Sequence, residues 1–595
     1  MREGLNTEGS SIELQQWGPP WLTVEFGLYV LLVAVGALLR FYALGSQPLD
    51  EKEARLAFDA WRFYTGGAAS IRGHSPLLFH GNVLLYGLFG ASDGVARLLP
   101  ALAGSAIVGL PYLLRSQLGR RGALVSAAIL AFSPSFVFFS RQLQGDVIVA
   151  ACGLLVLGGV FGYVEWRTPA YLYLLAGALA LSIVAGGSSY GMLLALGGFL
   201  LGVWLYLRSR GQEGLPLWPG VGPVHSPPPT ASGQVWLNVG GIFVAVVLLF
   251  STGLLVNLQG LQAALDLLPA WLGQFRPVVE GETWNYYLSL LVVYELPALV
   301  FGVAGAWYLV RRDVFSTLLV CWSGVSLVLY SLMGAKPPSG VLQVLLPLTL
   351  LAGKSIGELL TKIRGGERRL WDGLVLLVSI PAVAYIVLQL GAFANPQDPG
   401  NPRYLILALM SLFFLVCVTL VSGAMSLDVR GTLRTGGLVL LLILSSLMLQ
   451  ATWRLNYHRP GSPLEPLERT PTSPDVRNLV KAVEDFSNQR ERERHSIDVT
   501  VAGVEDALLS WYLRDFADVT FVSDASSSPS PVVIAPLGEA LPLPEYRGAR
   551  FRLQSSWQAE RLAAHSLVGW YLYREALSPP VYRDLVMWVA TEPQE

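Results

Sequence analysis

Apolar residues fill most of this chain in runs of about 20, and short polar stretches separate the runs. Runs of this length match the hydrocarbon core of a bilayer, so the pattern predicts a polytopic α-helical membrane protein with about 13 spans. The predicted spans cover residues 23–44, 94–114, 122–139, 145–164, 169–184, 190–207, 236–257, 288–310, 315–333, 340–360, 371–391, 403–423 and 434–452.

Two further helices are predicted in the loop that follows the first span. Residues 51–64 place Leu56, Ala60 and Tyr64 on one face, which predicts an amphipathic helix lying in the membrane interface. Residues 76–90 are apolar but too few to cross a bilayer comfortably, so we expect a re-entrant or half-inserted helix.

The pattern changes after Gln450, where apolar runs shorten and charge increases. This change predicts a small extracytoplasmic α/β domain over 455–595, after a transmembrane domain over 1–454 whose first outer loop is 45–93. Strands are predicted at 499–504, 519–522 and 532–536, and helices at 505–516 and from Asp475 onward. We expect this domain to rest against the membrane through Trp511, Tyr512 and Trp557.

Composition agrees with a membrane protein and excludes several other classes. Of 595 residues, 53% are hydrophobic and 14% charged, and the mean hydropathy is +0.50. A net charge of −1 without a basic tail gives no sign of nucleic-acid binding. The three cysteines lie in apolar runs without a CxxC or Cys/His cluster, so neither a disulfide framework nor a structural zinc site is indicated. The first apolar run lacks a cleavage site, and we expect a retained anchor.

Basic residues are concentrated in alternate loops, which predicts the orientation. By the positive-inside rule, the basic loops are cytoplasmic and the intervening loops lie outside. We therefore expect a plasma-membrane protein with a cytoplasmic N-terminus, a flexible cytoplasmic linker at 211–234, and an outer loop at 258–287. The basic loops contain Arg115, Arg120, Arg121, Arg167, Arg208, Arg210, Arg311, Arg312, Lys362, Arg364, Arg368, Arg369, Arg430 and Arg434.

The predicted outer face collects charged residues from separate parts of the chain. Carboxylates and cations together suit transfer to a hydroxyl from a phosphate leaving group, because one carboxylate accepts the proton while cations neutralise the phosphate. These candidates are Asp50, Glu51, Arg55, His74, Arg141, Asp146, Glu295 and Lys336.

Each candidate also has a structural interpretation. Asp50 and Glu51 could form the acidic first turn of a surface helix, and Asp146 could cap the helix of the fourth span. Arg141 could be an interfacial anchor, and Lys336 an ordinary turn residue. His74 lacks the partner spacing of a metal ligand.

Several short motifs resemble the superfamily of integral-membrane glycosyltransferases with the GT-C fold, which includes protein O-mannosyltransferases and aminoarabinose transferases that modify lipid A. The first 165 residues carry most of this resemblance. The motifs are Pro48-Leu49-Asp50-Glu51, His74-Ser75-Pro76, Arg97-Leu98-Leu99-Pro100, and Ser140-Arg141 followed by Asp146.

Four later motifs resemble a prokaryotic branch that is associated with flippase activity and linked to archaeal-type N-glycosylation. One position departs from that branch, because Ser339 stands where an aromatic residue tends to follow the Lys-x-Pro turn. The motifs are Tyr294-Glu295-Leu296-Pro297, Lys336-Pro337-Pro338, Thr472-Ser473-Pro474-Asp475 and Trp511-Tyr512-Leu513-Arg514-Asp515.

The resemblance implies a polyprenyl-phosphate-linked sugar as donor, inversion at the anomeric carbon, and an extracytoplasmic protein or glycolipid as acceptor. By position, Asp50 would be the catalytic base, and Glu51 and Asp146 would complete the site. Arg141 and Lys336 would bind the lipid phosphate, and the substrate-binding set would also include Arg55, His74, Arg97 and Glu295. The superfamily does not require a metal, although some members use a divalent cation.

Two other functions remain open from the sequence. A flippase for lipid-linked sugars would use the same substrates, but transporters usually show paired halves with broken helices, and no such symmetry is evident. A non-catalytic assembly subunit could retain the fold and hold only a lipid or a partner protein.

Overall fold

The computed structural model describes residues 23–209, 233–278, 282–310, 312–361, 367–393, 401–426, 429–503, 506–523, 530–538, 546–557, 570–571, 574 and 578–590. Almost all of the predicted linker at 211–234 lies outside these residues, as do Arg210, Arg311, Lys362 and Arg364 of the predicted basic loops.

Among the described residues, twenty α-helices form the transmembrane part and its loops. They are α1 Val24–Phe41, α2 Glu51–Tyr64, α3 Pro76–Phe89, α4 Asp93–Ala96, α5 Leu98–Gly109, α6 Arg115–Leu118, α7 Arg120–Phe132, α8 Pro134–Ser140, α9 Asp146–Trp166, α10 Pro169–Ala185, α11 Ser188–Ser209, α12 Gly233–Ser251, α13 Gln259–Gly273, α14 Tyr286–Tyr294, α15 Leu296–Leu309, α16 Val314–Leu332, α17 Val341–Thr361, α18 Glu367–Phe393, α19 Pro402–Ser426 and α20 Val429–Trp453. Short 3₁₀ turns at Leu110–Leu114 and Pro338–Gly340 and a π turn at Arg454–His458 connect or extend them.

The apolar runs predicted from the sequence fall on these helices. Within the described residues, 10 helices are long and apolar enough to cross a membrane, or 12 if each of two bent helix pairs is one span. The larger count is one fewer than the 13 spans predicted. The difference is α10, which covers the predicted span 169–184 but has only 17 residues. A polytopic helical membrane fold is therefore confirmed, while the count of 13 stays a prediction.

The carboxylate of Glu295 connects the two bent helix pairs by hydrogen bonds. The chain bends by 58° between α7 and α8 and by 111° between α14 and α15, and a proline opens each second helix. Glu295 lies at the second bend, where its Oε1 accepts hydrogen bonds from Ser133 Oγ (2.6 Å) and Ser135 N (2.9 Å) at the first. A fully buried polar side chain thus ties the two breaks together.

The loops between the spans are partly helical. The amphipathic helix predicted at 51–64 is present as α2, and the apolar segment 76–90 forms the 14-residue helix α3. The predicted outer loop 258–287 differs from expectation, because it contains α13. Ala263, Leu267 and Trp271 repeat at helical spacing along α13 and are buried, so packing supports this helix.

The C-terminal part is a five-stranded sheet with two helices. The strands are β1 Val499–Ala502, β2 Val519–Val522, β3 Val532–Pro536, β4 Tyr546–Ser556 and β5 Val581–Ala590, and the helices are α21 Asp475–Glu491 and α22 Ala507–Tyr512. In the order β2-β1-β3-β5-β4, the first three strands are parallel and the last two pair antiparallel. The small α/β domain is therefore confirmed, and its two longest strands were not predicted.

Its aromatic residues contact protein. Trp511 is fully buried, and its Nε1 donates to Asp93 Oδ1 at the start of α4 (2.8 Å). Tyr512 also donates its hydroxyl to Asp93 (2.9 Å), and Trp557 Nε1 donates to Ser578 within the domain (3.0 Å). The predicted membrane contact of Trp511 is wrong, because the C-terminal domain packs this residue against the first outer loop.

Candidate active site

A cavity of about 540 Å³ opens where five loop regions meet. Its walls come from α2 and the turn before α3, from residues 143–146, from residues 185–188, from α13, and from residues 337–340. All five regions belong to loops that the sequence predicts on the outer face. Four of the residues expected to share one side of the membrane, Glu51, Arg55, His74 and Asp146, therefore surround a common space.

Glu51 and Asp146 are the two carboxylates in the cavity wall. Glu51 is exposed and lies 3.5 Å from Arg55, with Lys52 beside them in the same wall. Asp146 is the first residue of α9 and lines the cavity. Its carboxylate accepts no hydrogen bond from the described residues. Among the described residues, the cavity wall thus contains both a carboxylate without a hydrogen-bond partner and an exposed ion pair.

Asp50 immediately precedes Glu51 in the chain and is not part of the cavity wall. Its Oδ1 accepts the Glu53 amide (2.8 Å), and the Glu53 side chain accepts the Asp50 amide (3.0 Å), which completes a capping box at the start of α2. Oδ2 accepts no hydrogen bond from the part of the chain that the structure describes. Burial, followed by the neighbouring Glu53 carboxylate, raises the pKa of Asp50 to about 6.

Glu53 connects three separate parts of the chain next to the cavity, and it was not among the residues predicted from the sequence. Its buried carboxylate accepts hydrogen bonds from Asp50 N, from Leu143 N and from Arg97, whose Nε lies 3.0 Å from Oε1. Arg97 also donates to the carbonyls of Leu44, Gln47 and Pro48. Arg97, which the resemblance places among the substrate-binding residues, is thus buried against Glu53 and backbone. The Asp-x-x-Glu capping pattern was the available signal for Glu53.

His74 lines the cavity and has an acidic partner. Its Nε2 lies 2.7 Å from Asp59 Oδ2, and both side chains are largely buried. Asp59 projects from α2, so this pair joins α2 to the turn before α3. The structural interpretation of His74 depended on the lack of a partner residue in the sequence. In the structure Asp59 is such a partner, although nothing in the local sequence indicated this contact.

Arg141 and Lys336 bind backbone carbonyls near the site. Arg141 donates to Leu39 O, Arg40 O, Tyr42 O and Ala43 O at the C-terminal end of α1. Lys336 Nζ donates to Glu282 O (3.1 Å) and Met333 O (2.7 Å). Neither side chain lines the cavity, and Glu295 lies apart from it at the bend between α14 and α15.

A carboxylate from the C-terminal part also reaches the first outer loop. Glu468 is buried and accepts a hydrogen bond from Gln47 Nε2. Burial, followed by the nearby Asp50 carboxylate, raises the pKa of Glu468 to about 8. Gln47 and Glu468 are 421 positions apart, so no local pattern could have predicted this contact.

Within the described ranges, no three His, Cys, Asp or Glu side chains lie together as a set that could hold a metal ion. A role for a divalent cation therefore stays a prediction from the resemblance.

Comparison with known proteins agrees with this architecture. Residues 73–212 match the family model described as dolichyl-phosphate-mannose-protein mannosyltransferase. An undecaprenyl phosphate-alpha-4-amino-4-deoxy-L-arabinose arabinosyl transferase of Pseudomonas fluorescens is 32% identical over 136 residues, which cover 22% of this chain and 24% of that protein. The match therefore spans about a quarter of the length of that curated relative.

The similarity to solved structures extends over almost the whole chain. The crystal structure of ArnT from Cupriavidus metallidurans bound to undecaprenyl phosphate superimposes with a TM-score of 0.55 at 15% identity, covering 94% of this chain and 98% of that one. The apo structure of the same protein gives 0.53, with coverage of 95% and 98%. The resemblance to the GT-C superfamily is thereby confirmed, and the chain has the GT-C fold of the integral-membrane glycosyltransferases. The resemblance to the narrower branch associated with flippase activity stays a prediction.

Proposed function

We propose that this protein transfers a sugar from a polyprenyl-phosphate donor to an acceptor hydroxyl or amide outside the cytoplasm. The observation that carries the proposal is the cavity formed by five predicted outer loops, because its wall presents carboxylates and cations together. Sugar transfer from a phosphate needs both, one to accept a proton and the other to neutralise the leaving group. The lipid-linked substrates in the names of ArnT and the curated relative support this class of donor.

Asp50 is the proposed general base. One of its oxygens caps α2, the other accepts no hydrogen bond from the described residues, and the next residue in the chain, Glu51, lines the cavity. A pKa raised to about 6 brings the carboxylate close to neutral pH while leaving it mostly ionised there, as a general base requires. The hydroxyl oxygen or amide nitrogen of the acceptor would attack the anomeric carbon as its proton passes to Asp50. The bond to the phosphate oxygen would break, with inversion, and its electron pair would leave on the lipid phosphate.

Arg55 and Lys52 are the proposed phosphate contacts, since both line the cavity on α2 and Arg55 is exposed. Arg141 and Lys336, which the resemblance assigns to the phosphate, would first have to release backbone carbonyls. We therefore propose that these two cations shape the loops around the site. Glu51 and Asp146 would accept hydrogen bonds from sugar hydroxyls.

The proposed orientation places the cavity and the C-terminal domain outside the cell. At the basic ends of several spans, an arginine stacks on an aromatic ring one helical turn earlier in the chain. Arg115 lies 4.5 Å from the centre of the Tyr112 ring, and Arg312 lies 3.7 Å from the centre of the Tyr308 ring. Such pairs suit a membrane interface, where amphipathic rings and cations meet headgroups. They belong to the loops predicted to be cytoplasmic, and the cavity regions belong to the others.

Proteoliposomes can distinguish this function from its alternatives. The purified protein would receive radiolabelled polyprenyl-phosphate sugars, with membranes from a strain lacking the protein as acceptor. A transferase forms a new glycosidic bond and releases polyprenyl phosphate. Transbilayer movement of the donor without bond formation would contradict the proposal and indicate a flippase. The absence of both, with normal folding, would contradict it in favour of an assembly subunit.

A further inference from the structure

Residues 44–49 lead directly into Asp50 and have no regular secondary structure. Side chains from distant parts of the chain bind their backbone. Arg97 donates to three of the carbonyls, and Arg477 on α21 donates to Gly45 O and Ser46 O, each at 2.7 Å. The Leu49 amide donates to the Tyr512 hydroxyl at 2.9 Å. The C-terminal domain therefore supplies about half of the bonds that hold this segment.

A single carboxylate organises those contacts. Asp93 Oδ1 accepts from Trp511 Nε1 (2.8 Å), while Oδ2 accepts from Tyr512 Oη (2.9 Å) and Arg477 Nη2 (2.6 Å). We refer to Asp93, Arg477, Trp511 and Tyr512 as the Asp93 cluster. Because the Tyr512 hydroxyl donates to Asp93 and accepts from Leu49, it connects the cluster to the residue immediately before Asp50.

We propose that the Asp93 cluster positions Asp50 for catalysis, which makes the C-terminal domain a working part of the active site. This inference rests on the proposed function of Asp50. Tyr512 and Asp93 are then positioning residues, which act through the backbone of residues 45–49. The capping box fixes Asp50 relative to α2, and the Asp93 cluster fixes the backbone of the residues immediately before Asp50.

Positioning at this distance has a measurable consequence for the rate. Displacing a reacting group by about 1 Å can cost roughly 100-fold in rate, even when the substituted residue is far from the chemistry. Without the Tyr512 hydroxyl, the Leu49 amide would lose its partner while the cavity wall kept all of its side chains. The turnover number should therefore fall while the KM for the donor changes little.

The test compares Tyr512→Phe with Tyr546→Phe. Tyr546 is a matched control in the same domain, because its hydroxyl donates to Ser530 O at 3.0 Å and does not contact the first outer loop. Two measurements are made on the full-length protein in proteoliposomes. One is hydrogen exchange of peptides covering 44–56, which needs no activity, and the other is kcat and KM for sugar transfer.

The cluster predicts faster exchange over 44–56 and at least about a tenfold lower kcat in Tyr512→Phe, with KM within about twofold and neither effect in Tyr546→Phe. Unchanged exchange over 44–56 would overturn the inference, whatever the protein's activity. Faster exchange with an unchanged kcat would also overturn it, because the segment would be held without consequence for the chemistry. An inactive wild type would refute the proposed function, and with it any catalytic role of the cluster, while exchange still reports the contact.

Asp93 provides a second, independent variant pair. Asp93→Asn retains one oxygen that can accept from Tyr512 or Trp511, whereas Asp93→Ala retains none. Partial recovery of kcat in Asp93→Asn relative to Asp93→Ala supports positioning through these hydrogen bonds. Equal losses in folded variants would contradict it.

Discussion

Replacing Glu53 by Gln should destabilise the protein more than any other single change at the cavity. The Glu53 and Arg97 side chains are 4% and 3% exposed, and the carboxylate accepts four hydrogen bonds from three separate parts of the chain. Glutamine keeps one oxygen, loses the charge and directs an NH₂ group at donors. Removing one partner of a buried pair costs about 3–5 kcal/mol, because the other charge stays buried without compensation.

The neighbouring pair on the same helix provides the control. Glu51 and Arg55 are 3.5 Å apart, but their side chains are 50% and 61% exposed, and such surface pairs contribute about 0–1 kcal/mol. Glu51→Gln should therefore leave stability almost unchanged. The two substitutions change the same chemical group at positions two residues apart, so burial is the variable that separates them.

The assay is the free energy of unfolding of the purified protein, measured by denaturant titration in mixed micelles for the wild type, Glu53→Gln, Arg97→Gln and the double variant. We expect the double variant to cost clearly less than the sum of the single variants, because it leaves no uncompensated charge. A loss below about 1 kcal/mol for Glu53→Gln, or additive single effects, would refute the conclusion that this pair holds the loops together.

Three further predictions concern pH and the cations near the site. Glu468 has a folded-state pKa raised to about 8, so its contribution to stability is full below its unfolded pKa of about 4.3 and is lost as pH rises through about 8. The unfolding midpoint should decrease as pH rises from about 4.3 to about 8, and Glu468→Gln should make this decrease smaller. An equally steep decrease in the variant would contradict the raised pKa of Glu468. Transfer activity should decrease as pH falls through about 6, because Asp50 becomes protonated, and an acid limb below about pH 4.5 would contradict the raised pKa. Arg141→Gln should lower thermal stability without raising the KM for the lipid donor, because its guanidinium binds the end of α1, and a selective rise in KM would instead support phosphate binding.

The parts of the fold that could be predicted from the sequence were those with a local repeat. Apolar runs located the spans, the alternation of apolar and charged residues located α2, and β-branched clusters located β1, β2 and β3. Helix α13 was missed because residues 258–287 were predicted as an outer loop, whereas Trp271 is packed inside the protein. Strand β4 is largely exposed and arginine-rich, which hides the alternation that marks a strand.

The residue types of the site could be predicted from the sequence, but their contacts could not. Glu51, Arg55, His74 and Asp146 share one cavity as expected. The partners that fix them come from distant positions, as Glu53 with Leu143 and Glu468 with Gln47 show. Such pairings depend on how the helices pack, and a single sequence carries no signal for them.

The most direct test of the proposed chemistry is the rate of sugar transfer by Asp50→Asn, with Asp266→Asn as a control on α13 outside the cavity wall. Asparagine caps helices about as well as aspartate, so Asp50→Asn should keep α2 intact while removing the base. We predict at least a roughly 100-fold loss of kcat for Asp50→Asn, with normal folding, and an unchanged rate for the control. A folded Asp50→Asn protein that transfers sugar at the wild-type rate would contradict the account.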